Sequence, residues 1–173
     1  CKFVFNNLFP SEDSGRYKFR KLSEDKLSHL FESFVRSFFE IEQDKLKVKR
    51  EKLNWDFKPI TEGSDKYVPK METDITLFNQ DRRIIIETKF YKEGALTKKN
   101  EDRGNKIHAN HLYQLSAYMN HTRLLETQVL EGILLYASVD KDFDLQFKNK
   151  DEQKISVKSI NLNQNFESIK TDL

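Results

Sequence analysis

The amino-acid sequence predicts a mixed α/β domain in which helices flank a central β-sheet. Three observations lead to this prediction: an early run of aromatic residues at helical spacing, strongly apolar strand-like runs after it, and the alternation of helical and extended patterns along the chain. A length of 173 residues suits one domain with one core. We therefore expect residues 1–173 to form a single domain.

The first helix is predicted to run from Ser23, as the N-cap, to about Gln43. Large apolar residues recur there at helical spacing, and we interpret them as core rather than as base-stacking residues. These positions are Leu27, Leu30, Phe31, Phe34, Val35, Phe38 and Phe39. Glu32 lies at the edge of this apolar stripe, where it is either solvated or paired with Arg36 one turn later.

Extended segments are predicted after this helix. Leu53–Phe57 has the pattern of a strand that ends before Pro59. Lys70–Phe78 and Arg82–Phe90 are predicted to form an antiparallel hairpin, because the connection Asn79–Asp81 is short.

The second half of the chain repeats the change from helix to strand. The polar segment 92–106 is predicted to be a loop, and a second helix is expected from Lys106 to about His121. A buried strand is predicted over Val129–Val139. Phe143–Phe147 and Lys154–Leu162 alternate weakly, as edge strands do.

The composition excludes several classes of protein. A charged content of 34% and the lack of an apolar run near ~20 residues argue against a membrane protein. The single cysteine excludes an internal disulfide and a multi-thiolate zinc site, which indicates a reducing cytoplasmic setting. With so few zinc ligands, His108 and His111 are interpreted as polar residues at a helix end. Because the net charge is only +2, any affinity for nucleic acid must come from local clusters of cations.

The residues that indicate chemistry lie on the predicted hairpin. Side chains alternate along a strand, so Glu87 and Lys89 share one face while Thr88 lies on the other, and Asp74 on the paired strand is expected to join Glu87. Two neighbouring carboxylates repel unless a cation lies between them. Mg²⁺ is the natural cation, because one or two carboxylates with waters and phosphate oxygens satisfy it. The group therefore suits phosphodiester hydrolysis.

This pattern of Asp74 followed by Glu87-Thr88-Lys89 resembles the active site of PD-(D/E)xK nucleases. Gln114 and Tyr118 in "QLSAY" are similar to the QxxxY element of the RecB-like branch. Five blocks in family order resemble the McrC family, the nuclease subunits of McrBC modification-dependent restriction systems: "LSHLFESFVRSFF", "METDITL", "IIIETKFYK", "KIHANHLYQLSAYMN" and "EGILLYASV". These blocks cover most of residues 20–140.

The resemblance implies a PD-(D/E)xK restriction-endonuclease-like fold and a Mg²⁺-dependent DNA endonuclease, with Mn²⁺ as a substitute metal. Asp74 and Glu87 would bind metal with the Thr88 backbone carbonyl, and Lys89 would activate or orient water. Glu32 stands where some relatives carry a further acidic metal-linked residue. Gln114 and Tyr118 would help to position the site.

The resemblance also implies partners. Double-stranded DNA would be the substrate, and a McrB-like AAA+ GTPase would drive the complex in the cytoplasm of a bacterial or archaeal cell. GTP would be bound only through that partner, since the sequence has no GxxxxGK[ST] phosphate loop. The chain is expected to be the C-terminal nuclease part of a longer protein, without the N-terminal region that engages the motor.

A group of basic residues near the predicted cleft is interpreted as phosphate-binding, which would give salt-dependent affinity without sequence preference. Its members are Lys98, Lys99, Arg103, Lys106 and His108.

Three alternative interpretations compete with this one. Asp74, Glu87 and Lys89 alone could form a surface ion-pair cluster. The chain could be another RecB-like exonuclease or recombination nuclease. It could also be a non-catalytic DNA-binding or assembly module that activates an AAA+ motor.

Overall fold

A computed structural model of the chain describes residues 8–11, 18–21, 23–90, 96–98, 105–138 and 143–173. The helices are α1 (Glu24–Glu42), α2 (Ala109–Asn120) and α3 (Phe166–Asp172), with a 3₁₀ turn at Ser64–Tyr67. The strands are β1 (Leu8–Ser11), β2 (Lys18–Lys21), β3 (Lys47–Lys49), β4 (Lys52–Leu53), β5 (Met71–Glu72), β6 (Ile75–Phe78), β7 (Arg82–Phe90), β8 (Leu96–Lys98), β9 (Asn105–Ile107), β10 (Val129–Ser138), β11 (Asp144–Lys148) and β12 (Lys154–Asn161).

Six of these strands form one mixed sheet in the order β11-β12-β10-β7-β6-β3. The three central strands β7, β10 and β12 are parallel, and the outer pairings are antiparallel. The short pairs β1-β2, β4-β5 and β8-β9 lie outside this sheet. The predicted α/β class with a central mixed sheet is therefore confirmed.

The sheet separates two apolar clusters, one on each face. On one face α1 and α3 pack through residues such as Val35 and Ile169, and on the other α2 packs through Leu115. All three side chains are fully buried, and burial of one such side chain stabilises the fold by roughly 1.5–3 kcal/mol. The predicted flanking helices are thus confirmed. Within the described ranges, no helix is both long and apolar enough to cross a bilayer.

The predicted hairpin is present, but its first strand is interrupted. β6 and β7 pair antiparallel from Ile75 opposite Ile86 to Phe78 opposite Arg83. At Thr73 the chain leaves the sheet, where the Thr73 backbone N–H donates to the Glu51 carbonyl at 3.0 Å. The interruption places Asp74 directly before β6, beside the last part of β7.

Several predicted elements need correction. The strand expected over Leu53–Phe57 ends at Leu53, because the chain turns outward and the Trp55 indole N–H donates to the Pro69 carbonyl. The segment 92–106 is not all loop, since β8 pairs with β9. That pairing delays the start of α2 to Ala109.

The outer part of the sheet also differs from prediction. β12 is not an edge strand, because it lies between β10 and β11. Leu30, expected in the apolar face of α1, is exposed. Helix α3 was not predicted, and its Asn165 side chain caps it by accepting from the Ser168 backbone N–H at 2.9 Å.

Helix α2 approaches β10 closely at Gly132. A Cβ atom at this position would lie 2.5 Å from Met119 Sδ and 3.1 Å from Leu115 Cδ2. Such distances are far inside van der Waals contact, so the missing side chain lets the helix lie directly on the strand.

We expect Gly132→Ala to destabilise the fold by about 1–3 kcal/mol, because the added methyl group overpacks the contact with α2. Met119→Ala should also destabilise, but the double variant should lose less than the sum, since the new methyl group fills part of the vacated space. Urea denaturation of the four proteins measures this coupling. Strictly additive losses would show that Gly132 does not determine how closely α2 packs.

Candidate functional site

The centre of the site is the last part of β7. Glu87 and Lys89 project to the α2 face, as the alternation along the strand predicts, and the Lys89 ammonium donates to Glu87 Oε1 at 2.7 Å. Glu87 is 2% exposed, so its carboxylate is inside the protein and not on the surface. The interpretation of this pair as a solvated surface ion pair is therefore wrong.

Asp74 reaches β7 through Thr88. Its Oδ2 accepts from the Thr88 backbone N–H and from the Thr88 hydroxyl, both at 2.8 Å. Thr88 points to the α1 face, so Asp74 is not simply beside Glu87 on the α2 face as expected. The two carboxylates approach the strand from different sides and still interact electrostatically.

Helix α2 adds two polar side chains to the α2 face. Gln114 Oε1 accepts from the Lys89 ammonium at 2.9 Å, and Gln114 Nε2 donates to the Tyr118 hydroxyl at 2.9 Å. The helical spacing of four residues places both on one side of the helix, as predicted. Gln114 is thereby held in one orientation, with its oxygen toward Lys89.

Glu32 on α1 lies on the other side of the sheet and lines a cleft together with Asp74 and Glu87. It is buried, and its Oε1 lies 2.9 Å from Arg36 Nη1 and 3.6 Å from Arg50 Nε. The expected pairing with Arg36 is confirmed. His29 Nδ1 lies 3.7 Å from Glu32 Oε2. Glu32 is therefore paired with arginine side chains.

Burial disfavours the charged forms of both central carboxylates. It raises the pKa of Glu87 to about 7, with the neighbouring Asp74 charge as the second cause and Lys89 opposing both. Burial also raises the pKa of Asp74, although the two hydrogen bonds from Thr88 oppose this. Glu87 Oε2 is buried and has no hydrogen-bond partner among the described residues. Such an atom is costly unless something else occupies the cleft.

The donor set suits a hard divalent cation. Asp74, Glu87 and Glu32 all line one cleft of about 310 Å³ that also contains Thr88. In the described part of the chain, no three His, Cys, Asp or Glu side chains are close enough to complete a metal site on their own. Mg²⁺ does not require this, because it usually keeps several waters and takes one or two carboxylates. The residues present therefore fit Mg²⁺.

The structure describes only some of the residues that were expected to bind phosphate. Lys106 is exposed, and His108 is half-buried at the start of α2. Lys98 ends β8, while Lys99 and Arg103 lie outside the described residues.

Three features of the site were not indicated by the sequence. His111 lies in the first turn of α2, as expected of a helix-end residue, but the sequence did not indicate that it is only 4% exposed, with its Nδ1 2.8 Å from the Tyr136 hydroxyl. Arg50 was not connected with Glu32, since the two are distant along the chain. The position of Tyr136 opposite Lys89 follows from the parallel pairing of β7 with β10, which no local pattern indicates.

A family model and a curated protein that this chain resembles both concern McrBC restriction. Residues 26–137, more than half of the chain, match the family described as "McrBC 5-methylcytosine restriction system component". The chain is 29% identical over 175 aligned positions to the "Type IV methyl-directed restriction enzyme EcoKMcrBC" of Escherichia coli strain K12. That alignment includes 100% of this chain and 49% of the relative, so the chain spans about half the length of the curated relative it matches.

A solved structure has the same fold. The similar chain comes from a half-complex of the tetradecameric assembly of Thermococcus gammatolerans McrB AAA+ hexamers with bound McrC. The TM-score is 0.56 at 12% identity, and the match covers 89% of this chain and 32% of that one. At this identity the likeness is one of fold.

The buried Glu87 predicts how stability depends on pH in metal-free buffer. Its carboxyl group keeps a proton up to about pH 7 when folded but loses it near pH 4.5 when unfolded. The free energy of unfolding should therefore fall as pH rises from 4.5 to 7, by up to about 3 kcal/mol.

Glu87→Gln should remove this part of the pH dependence, because the amide does not titrate. Denaturation midpoints with EDTA at pH 4.5, 5.5 and 7 measure the effect. Glu131→Gln, which changes a carboxylate near the other end of the sheet, should keep the wild-type slope. Equal slopes for all three proteins would contradict the assignment.

Proposed function

Because the chain belongs to the McrBC 5-methylcytosine restriction system component family, we propose that it is the Mg²⁺-dependent, DNA-cleaving part of such a restriction complex. The observation that carries this proposal is the group formed by the buried Glu87 with the half-buried Asp74 and Lys89, in which Glu87 Oε2 has no partner among the described residues. A purely structural ion pair would satisfy both carboxylate oxygens.

Asp74 and Glu87 are the proposed metal ligands, with the Thr88 backbone carbonyl as a third contribution. When bound, Mg²⁺ supplies Lewis-acid polarisation of the phosphodiester and lowers the pKa of a water molecule. Two hydrogen bonds from Thr88 fix Asp74 Oδ2, so that carboxylate is already oriented. Glu32, paired with its arginines, is assigned to the wall of the cleft and to long-range charge rather than to direct ligation.

Lys89 is the proposed group that meets the developing negative charge. Its ammonium has three N–H donors, of which one contacts Glu87 and one contacts Gln114. The third donor is assigned to the attacking water or to a phosphate oxygen, where it stabilises the phosphorane-like transition state. Gln114 and Tyr118 hold Lys89 in this orientation.

We assign DNA delivery and recognition to a partner. The solved relative contains McrB AAA+ hexamers with bound McrC, and a McrB-like AAA+ GTPase is the proposed partner of this chain. GTP would be bound by that partner, and the complex would act on double-stranded DNA in the cytoplasm of a bacterial or archaeal cell. Lys98, Lys99, Arg103, Lys106 and His108 are the proposed contacts to DNA phosphates.

Metal binding tests the site without the partner. Titration calorimetry with Mn²⁺ or Mg²⁺ should show one site in the wild-type chain and at least about tenfold weaker binding in Glu87→Gln, because a charged ligand is lost. Glu131→Gln is the matched control and should bind as the wild type does. Equal weak binding by all three chains would contradict a metal site at Glu87.

Cleavage tests the function itself. With a McrB-like partner, GTP and Mg²⁺, the gene product containing this sequence should cut duplex DNA, and Asp74→Asn or Lys89→Ala should reduce cutting by about 10²-fold or more. Asp144→Asn and Lys148→Ala on β11 change the same residue types away from the cleft and should cut normally.

Retained duplex binding by Asp74→Asn would show that the loss lies in chemistry. If Asp74→Asn and Lys89→Ala cut as fast as the wild type, the site assignment is wrong. If the wild-type complex binds DNA and stimulates its partner but does not cut, the assembly-module function replaces the nuclease function. Release of mononucleotides instead of internal cuts would indicate an exonuclease.

A further inference from the structure

A buried polar pair lies next to the proposed site without belonging to the proposed set of metal ligands and catalytic groups. His111 in the first turn of α2 is 4% exposed, and Tyr136 in β10 is fully buried. The His111 Nδ1 and the Tyr136 hydroxyl are 2.8 Å apart, and the two rings have centroids 5.8 Å apart. Burying two polar side chains costs free energy unless they are paired, so the pairing fixes where the helix lies on the strand.

The pair is adjacent to Lys89 in the sheet. Tyr136 is the register partner of Lys89 on the neighbouring parallel strand, so both side chains lie on the α2 face. On α2, His111 is three residues before Gln114 and seven before Tyr118, which places all three on one side of the helix. The helix is therefore bound to β10 through His111 and to β7 through Gln114.

The imidazole adds no charge to this region at neutral pH. Burial lowers the pKa of His111 to about 4, with the nearby charges of Lys89 and His108 as further causes. Lys89 thus keeps Glu87 and Gln114 as partners, and His111 does not add a second positive charge beside it.

We propose that the His111–Tyr136 hydrogen bond is a positioning device for Lys89, acting through helix α2 and Gln114. It holds the first turns of α2 against β10, and this keeps Gln114 Oε1 within hydrogen-bond distance of the Lys89 ammonium. Neither His111 nor Tyr136 touches the reacting atoms. This inference rests on the proposed nuclease function, in which Lys89 meets the transition-state charge.

Tyr136→Phe tests the device with the smallest change, because it removes only the hydroxyl group. In the partner-driven cleavage assay, kcat should fall about tenfold while the Kd for duplex DNA stays the same, since a small misplacement of a catalytic group is costly. His111→Leu should have the same effect. His111→Asn, which keeps a polar atom near the Nδ1 position, should recover activity to within about threefold of wild type.

A double-mutant cycle distinguishes positioning from general destabilisation. In a Gln114→Ala background, Tyr136→Phe should lower kcat no further, because the connection to Lys89 is already lost. Tyr113→Phe on the exposed side of α2 and Ile169→Val in α3 are controls for the lost hydroxyl and for lost core stability. Wild-type kcat in Tyr136→Phe, or the same fold-loss in both backgrounds, would overturn the inference.

A second measurement does not depend on cleavage. The side-chain amide resonances of Gln114 report its contacts with Lys89 and Tyr118, and they should shift in Tyr136→Phe but not in Tyr113→Phe. Unchanged Gln114 resonances would overturn the inference even if activity fell. A wild-type complex that fails to cut would overturn the proposed nuclease function, while these resonances would still decide the positioning role.

Discussion

The burial of the Glu87 carboxylate is the constraint on which the rest of the site depends. A carboxylate at 2% exposure is stable in its charged form only when neighbours replace the water it has lost. Lys89 does this for one oxygen, and the other has no partner among the described residues. The fold thus holds a carboxyl group whose pKa lies near neutrality and whose residue lines a cleft.

The alternation of side chains along β7 determines which groups meet at the site. Because side chains alternate along β7, Glu87 and Lys89 belong to the face covered by α2, and Thr88 belongs to the face covered by α1. Groups from both sides therefore meet at three consecutive positions. Gln114 comes from one helix, and Asp74 comes from the interruption between β5 and β6. A uniform β-hairpin without this interruption would keep Asp74 in the ladder and away from the Thr88 N–H.

Family membership and the geometry of the site support different conclusions. The family match shows that the chain belongs to the McrBC 5-methylcytosine restriction system component family, and the solved structure shows a similar fold. The proposed chemistry rests on the buried Glu87 and the half-buried Asp74 and Lys89. The chain spans about half the length of the curated relative it matches.

Local sequence patterns determined a large part of this protein. Helical and alternating periodicity predicted α1, the β6–β7 pairing and the shared face of Glu87 and Lys89, because these depend on residues close together in the chain. The tertiary structure alone decided the parallel register that sets Tyr136 beside Lys89, the interior place of β12 and the burial of His111. Those features depend on contacts between distant segments, and the same local pattern is compatible with many such arrangements.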